Sequence, residues 1–164
     1  FCPGAEFGPA KRWPHYHYAE LAKQLIDEGY QVALFGSAKD HEAGNEILAA
    51  LSVEQQAWCR NLAGETQLEQ AVVLIAACKA VVTNDSGLMH VAAALDRPLV
   101  ALYGPSSPDF TPPLSHKAKV IRLITGYHKV RKGDAAEGYH QSLIDITPAR
   151  VLETLNELLL NEEA

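Results

Sequence analysis

Two hydrophobic periods alternate along this chain. Gln31-Val32-Ala33-Leu34-Phe35, Val81-Val82-Thr83 and Leu99 to Tyr103 are short, nearly unbroken apolar runs that end in turn residues. Such runs read as buried strands. Between them, apolar residues recur at helical spacing. Residues 14–28 place Tyr18, Leu21, Ala22, Leu25 and Ile26 on one face, with Pro14 suited to a first helical turn and Gly29 to a stop. Helices are expected over 39–51, over 66–77 behind a Thr66-x-x-Glu69 capping box, and over 88–95. A helical turn is expected within 52–58 and short strands over 59–62 and 119–124. Residues 126–139, rich in Gly and charge, read as a loop. Thr147-Pro148 opens a last amphipathic helix to about Glu162, carrying Val151, Leu152, Leu155, Leu158 and Leu159.

Strands that alternate with helices imply a parallel sheet covered on both faces, an α/β, doubly wound, Rossmann-like domain. Ligands of such sheets bind at the carboxyl ends of the strands. Four loops fall on that edge: 4–11, 36–40, 84–87 and 104–108.

The sharpest of them is Asn84-Asp85-Ser86-Gly87, which joins a strand to the helix bearing Leu88 and His90. Free backbone N–H groups and the helix dipole favour an anion there. The functional reading is a diphosphate cradle with the Ser86 hydroxyl and His90 as donors; the plain one is an N-cap turn with a core histidine. Lys11 is either a point charge for a phosphate or a solvated lysine ahead of a helix. Asp40 and Glu42 follow the Gly36 turn, where an acid accepts ribose hydroxyls or simply complements a helix dipole. His15 and His17 are two apart on a helix and face away from each other, which argues against a shared metal. No G-x-S-x-G elbow surrounds Ser86, so a serine hydrolase is a poor reading.

Composition narrows the classes further. The chain has 164 residues, 48% of them hydrophobic, and a formal net charge of -6. An acidic balance argues against a general nucleic-acid binder. No apolar run reaches the roughly 18–20 residues of a membrane span. Three cysteines (Cys2, Cys59, Cys78) have neither zinc nor C-x-x-C spacing, so reduced thiols and a cytoplasmic setting are expected. The opening Phe1-Cys2-Pro3-Gly4 reads as a strand end running into a Gly loop, as in a domain taken from a longer chain. His116, Lys117, Lys119, Arg122, His128, Lys129, Arg131 and Lys132 make the last third locally basic, either a solvated loop or a contact for an anionic acceptor or membrane surface.

Lys11-Arg12-Trp13-Pro14, Phe35-Gly36-Ser37, Gly64-Glu65-Thr66, the 84–95 block and Tyr103-Gly104-Pro105 occur in the order found in bacterial lipopolysaccharide heptosyltransferases, and the chain resembles that family, glycosyltransferase family 9. The stretches 2–14 and 127–134 resemble its branch that adds to the first heptose. The resemblance implies the carboxyl-terminal half of a GT-B enzyme, with residues 1–164 forming one ADP-heptose-binding domain and the acceptor domain absent. It implies inverting, metal-independent transfer of L-glycero-D-manno-heptose from ADP-heptose to the first heptose of the lipopolysaccharide inner core. No cofactor and no nucleic acid are implied; the setting is the cytoplasm, peripheral to the inner face of the inner membrane. By position, Lys11 matches a phosphate-contacting lysine, and Asp85, Ser86, Gly87, Leu88 and His90 match the diphosphate- and heptose-contacting block. Thr66 falls where the backbone meets adenine, and Asp40 or Glu42 matches a ribose-binding acid. Lys11 and His90 are the candidate leaving-group stabilisers; the catalytic base belongs to the other domain. Relatives carry hydroxyl residues where this chain has Glu6 and Phe7, so backbone N–H groups would take that role. The alternatives are a non-catalytic nucleotide-binding module and a GT-B-like nucleotide-sugar epimerase.

Overall fold

A computed structural model describes residues 1–5, 8–126 and 135–163. Five short strands form, β1 (Val32–Leu34), β2 (Cys59–Asn61), β3 (Val81–Asn84), β4 (Leu99–Tyr103) and β5 (Ala118–Arg122). β1 pairs with β2, and β3 with β4 and β4 with β5, all in parallel. The start of the chain joins these two groups. Phe1 donates its terminal nitrogen to Ala33 O at 2.7 Å, and Phe35 N–H donates to Phe1 O at 2.9 Å. On the other side Cys2 bridges Thr83 in parallel, with Cys2 N–H donating to Val82 O at 2.9 Å. Counting the Phe1–Cys2 segment first, the order across the sheet is 3-2-1-4-5-6, that of a dinucleotide-binding fold.

Helices cover both faces. Alternate strand residues point to opposite sides. Val82, Val100 and Leu102 pack with α1 (His15–Asp27), α2 (His41–Ala49) and α7 (Pro148–Glu163). Val81, Leu99, Ala101 and Tyr103 pack with α4 (Leu68–Ala76) and α5 (Gly87–Ala94). Each face of the sheet therefore has its own core, which is why β3 and β4 read as unbroken apolar runs. The face expected for α1 is the buried one: Tyr18, Leu21, Ala22, Leu25 and Ile26.

Several boundaries differ from the sequence reading. The first turn of the helix expected from residue 39 is a 3-10 turn, Ala38–Asp40, because the Asp40 carboxylate folds back onto Ser37 N–H at 2.8 Å. The capping box before α4 sits one residue later than expected: Gln67 N–H donates to Gln70 Oε1 at 2.9 Å. The short α3 (Val53–Gln56) is capped by Ser52, whose Oγ accepts from Gln55 N–H. An additional short helix, α6 (Gln141–Ile144), precedes α7. All three cysteines are free thiols; burial raises the Cys2 pKa and pushes Cys59 up to about 11, so neither is a ready nucleophile.

Candidate functional site

The carboxyl ends of the Phe1–Cys2 segment and β3 lie side by side where the strand order reverses, the switch point of the sheet. Asn84 holds that point together. Its side chain is fully buried. Its Oδ1 accepts from Trp13 N–H and from the Tyr18 hydroxyl, both at 2.9 Å. Its Nδ2 donates to Pro3 O at 2.7 Å and Gly4 O at 3.3 Å. Burial pushes the Tyr18 pKa well above its ordinary value, so the phenol stays protonated and keeps donating. Asn84 is thus the strut that ties the Gly4 loop and the start of α1 to the end of β3.

The next residues turn outward. Ser86 is the N-cap of α5, but its hydroxyl does not cap the helix; it lies 3.4 Å from Thr83 Oγ1. Met89 N–H donates to Ser86 O at 3.2 Å, and among the described residues no side chain caps the start of α5, which leaves the positive end of the helix dipole open. A Cβ built on Gly87 would meet nothing within 4 Å, so neither packing nor backbone strain requires glycine there. What glycine leaves is room at the helix start. Leu88 is half-buried and His90 is exposed on the first turn.

Lys11 ends the 3-10 turn Pro9–Lys11, and its Nζ lies 4.0 Å from Asp85 Oδ2. The Asp85 side chain is only 7% exposed and also accepts from Thr111 Oγ1 at 3.1 Å. Thr111 belongs to the loop after β4. Tyr103 pins that loop by donating its hydroxyl to Thr111 O and lying 3.3 Å from Met89 Sδ on α5. A cavity of about 190 Å³ opens between Lys11, Asp85, Ser106, Ser107, Phe110 and Thr111. Lys11 of the 4–11 loop, Asp85 of the 84–87 loop and Ser106 and Ser107 of the 104–108 loop thus meet as expected, and Phe110 and Thr111 beyond that loop join them.

The fourth loop joins through Asp40. Its carboxylate lies against both Gly4 and Gly36: a Cβ on either would come within 2.3 or 2.6 Å of it. Arg12 Nη2 lies 3.7 Å from Asp40 Oδ1. Asp40 therefore braces two glycine loops. Glu42, in the first turn of α2, is exposed, and Thr66 is half-buried beside the start of α4.

The two histidines of the H-x-H pair diverge, as their spacing requires. His17 Nε2 lies 2.7 Å from Ile144 O, and partial burial lowers its pKa. His15 Nδ1 lies 2.7 Å from the Tyr139 hydroxyl, 3.2 Å from Glu46 and 3.4 Å from Glu137. Together with the Trp13 indole, which donates to Ile146 O at 2.9 Å, these contacts dock residues 137–146 on the start of α1. Of the basic residues in the last third, Lys117 pairs with Asp96 and Glu162, and Arg122 donates to Gly104 O and Pro105 O. His128, Lys129, Arg131 and Lys132 lie outside the described residues, as do Glu6 and Phe7.

Sequence reasoning missed Asn84 as a strut; it singled out the proline-rich 104–113 loop but not Ser106 or Thr111 within it. Switch-point crevice, open helix start, lysine and loop wall are those of a Rossmann-like domain, and the chain matches the carboxyl-terminal half of GT-B heptosyltransferase structures. The chain belongs to glycosyltransferase family 9 (heptosyltransferase), whose model matches residues 1–140. It is 93% identical over 164 residues to the lipopolysaccharide heptosyltransferase 2 of Escherichia coli K12, covering all of this chain and 47% of that protein. The solved structure of the E. coli ADP-heptose lipopolysaccharide heptosyltransferase II matches with a TM-score of 0.93 and 86% identity, over 100% of this chain and 46% of that one. An E. coli heptosyltransferase solved with ADP matches with a TM-score of 0.74 and 26% identity, over 96% and 43%. The chain spans about half the length of the curated relatives it matches. No described helix is long and apolar enough to cross a membrane.

Proposed function

We propose that this chain is the donor-binding half of an enzyme that transfers L-glycero-D-manno-heptose from ADP-heptose to the first heptose of the lipopolysaccharide inner core. The observation that carries the reading is the uncapped start of α5 beside Lys11 and Asp85 at the switch point of the sheet. The names of the relatives, among them the structure of an ADP-heptose lipopolysaccharide heptosyltransferase II, support the substrate class.

In this reading the diphosphate lies against the N–H groups of Ser86, Gly87 and Leu88, with Lys11 and His90 as further donors. The Thr66 backbone meets adenine. Asp40 or Glu42 accepts the ribose hydroxyls. The geometry supports different side roles for the two acids, since Asp40 already braces Gly4, Gly36 and Ser37, whereas Glu42 projects from the first turn of α2. An acceptor hydroxyl oxygen attacks the anomeric carbon as the bond from that carbon to the β-phosphate oxygen breaks. ADP departs with the bonding electrons, and a base takes the hydroxyl proton. Negative charge grows on the β-phosphate in that step. The helix start and Lys11 stabilise it, an electrostatic contribution present before the reaction begins.

The base belongs to the acceptor-binding half in this reading, so the chain alone binds donor and does not turn over. Its partners are that half, the ADP-heptose donor and the inner-core acceptor, at the cytoplasmic face of the inner membrane, with no nucleic acid. The test is heptosyl transfer to a heptose-terminated inner-core acceptor, with this chain alone and with its amino-terminal half restored. Product only in the second case is the expected result. Donor conversion without acceptor would instead support an epimerase.

A further inference from the structure

Phe1 and Cys2 stand between β1 and β3, and beside them the two strands face each other across a cavity of about 610 Å³. Gln31, Ala33, Ala80 and Val82 line it from the two sides. In a parallel ladder, alternate residues of a strand bond to alternate neighbours. On β1, Val32 N–H donates to Trp58 O and Leu34 O accepts from Leu62 N–H, so these two residues serve β2, while Ala33 and Phe35 serve Phe1. On β3, Val81 N–H donates to Pro98 O and Val82 O accepts from Cys2 N–H, so Val81 serves β4 and Val82 serves Cys2. The same alternation turns Ala33 N–H and Gln31 C=O from one side, and Val82 N–H and Ala80 C=O from the other, into the cavity.

The shape and lining identify what fits. Open strand edges are templates for a further strand. Here two parallel edges flank one gap, and Phe1 and Cys2 hold them one strand apart. The walls above and below the sheet are apolar: Leu25, Leu155 and Leu159 on the α1–α7 side, Phe35 and Leu74 on the α4 side. Rise, strand spacing and layer spacing give a strand residue roughly 160 Å³, so the cavity holds about four residues. A strand pairs all four backbone groups and fills both faces; an apolar small molecule fills the volume only.

We infer that this cavity is a strand slot, and that its occupant is the extended segment that precedes the matched stretch in the longer relatives and runs in parallel into Phe1. This chain matches the carboxyl-terminal half of the E. coli K12 relative and covers 47% of it, so that protein has such a segment. The residue before Phe1 bonds to Ala80 C=O and Val82 N–H and faces α4. The second residue before Phe1 bonds to Gln31 C=O and Ala33 N–H, and its apolar side chain packs toward α1 and α7. The segment enters at the edge of the sheet opposite the Asn84–Gly87 turn, so an occupied slot leaves the candidate site open.

This chain, extended by about four residues taken from the stretch that precedes the match in the E. coli K12 protein, tests the slot. A second version carries proline as the second residue before Phe1, which has no N–H for Gln31 O. Hydrogen exchange, thermal melts and sedimentation are the readouts. In the unextended monomer, Ala33 and Val82 N–H are expected to exchange at least ~10-fold faster than Val32 and Val81 N–H, which are bonded to Trp58 O and Pro98 O. The extension is expected to slow both by ~10-fold or more and to raise the melting temperature by ~5 °C or more, and the proline version to lose most of both gains. Protection of Ala33 and Val82 in the unextended monomer, an extension that changes neither readout, or a proline version equal to the plain extension would overturn the inference. Protection that appears only in a dimer of the unextended chain would overturn it as well, by placing a second copy in the slot.

Discussion

Replacing Asn84 with alanine separates a strut from a ligand-loop residue. If Asn84 were only a turn residue ahead of a helix, its removal would cost the ~1 kcal/mol typical of a lost cap. The structure gives a larger figure. Alanine leaves the Trp13 N–H, the Tyr18 hydroxyl and the Pro3 carbonyl without partners, three bonds of 2.7 to 2.9 Å at a fully buried position. Each stranded group costs about 1–3 kcal/mol, and the lost side chain leaves room for some relaxation, so the sum is about 3–6 kcal/mol. That is a large share of the ~5–15 kcal/mol by which domains are stable. Urea denaturation with an unchanged m-value is the assay. Asn84→Asp sharpens it. A carboxylate still accepts from Trp13 and Tyr18 but faces the Pro3 and Gly4 carbonyls without a proton to donate. The introduced carboxyl therefore has a raised pKa in the folded state, the folded chain binds the extra proton, and the variant gains stability as pH falls toward ~4. Tyr18→Phe, which removes one of the bonds, should cost about 1 kcal/mol. An Asn84→Ala cost below ~1 kcal/mol would refute the strut.

Other expectations follow from single contacts. Gly87→Ala adds a Cβ that meets no protein atom, so the melting temperature should hold while nucleotide affinity falls about tenfold or more in titration, if a phosphate lies against the helix start. Gly4→Ala drives a Cβ into the Asp40 carboxylate and should destabilise by ~1–3 kcal/mol, and the double variant with Asp40→Ala should recover part of this in a denaturation cycle. His17 has a lowered pKa because it is partly buried, so the unfolded chain binds the proton first as pH drops. Stability should decline as pH falls from the ordinary histidine range toward the depressed folded value, and His17→Gln should flatten that slope in thermal melts across the range. Glu42→Gln should weaken ADP binding without changing stability if Glu42 holds the ribose; if Asp40 does, Asp40→Asn should weaken binding and also lower the melting temperature through the lost Ser37 and Arg12 contacts.

The strands and helices, and so the parallel α/β class, were legible because they rest on local periodicity, whereas the order of the strands was not. The apolar run of β3, the polar turn and the helical spacing after Gly87 locate an anion-accepting edge without reference to the rest of the chain. The buried face of α1 was legible for the same reason. What local pattern does not carry is pairing across long separations. Asn84 looks like one more polar residue of the loop, and its partners Trp13 and Pro3 lie 71 and 81 residues away in sequence. Asp40 reads as a dipole acid or ribose acceptor; only the fold brings Gly4 against it. The cap of α4 lies one residue later than the Thr66-x-x-Glu69 pattern because the side chain that folds back onto the helix start is Gln70, on Gln67 N–H. The run of Ser and Pro after β4 marks a loop, but nothing in it distinguishes Ser106 from Ser107 until the burial of each hydroxyl and its partners are known.

The central claim is that the open start of α5 and Lys11 form a diphosphate site for an adenine nucleotide. Isothermal titration of this chain with ADP, against UDP and GDP and with EDTA present, tests it most directly. Saturable binding selective for ADP, weakened about tenfold or more by Ser86→Ala or Lys11→Ala, is the predicted result. Equal binding of all three nucleotides, or ADP binding that neither substitution changes, would contradict it.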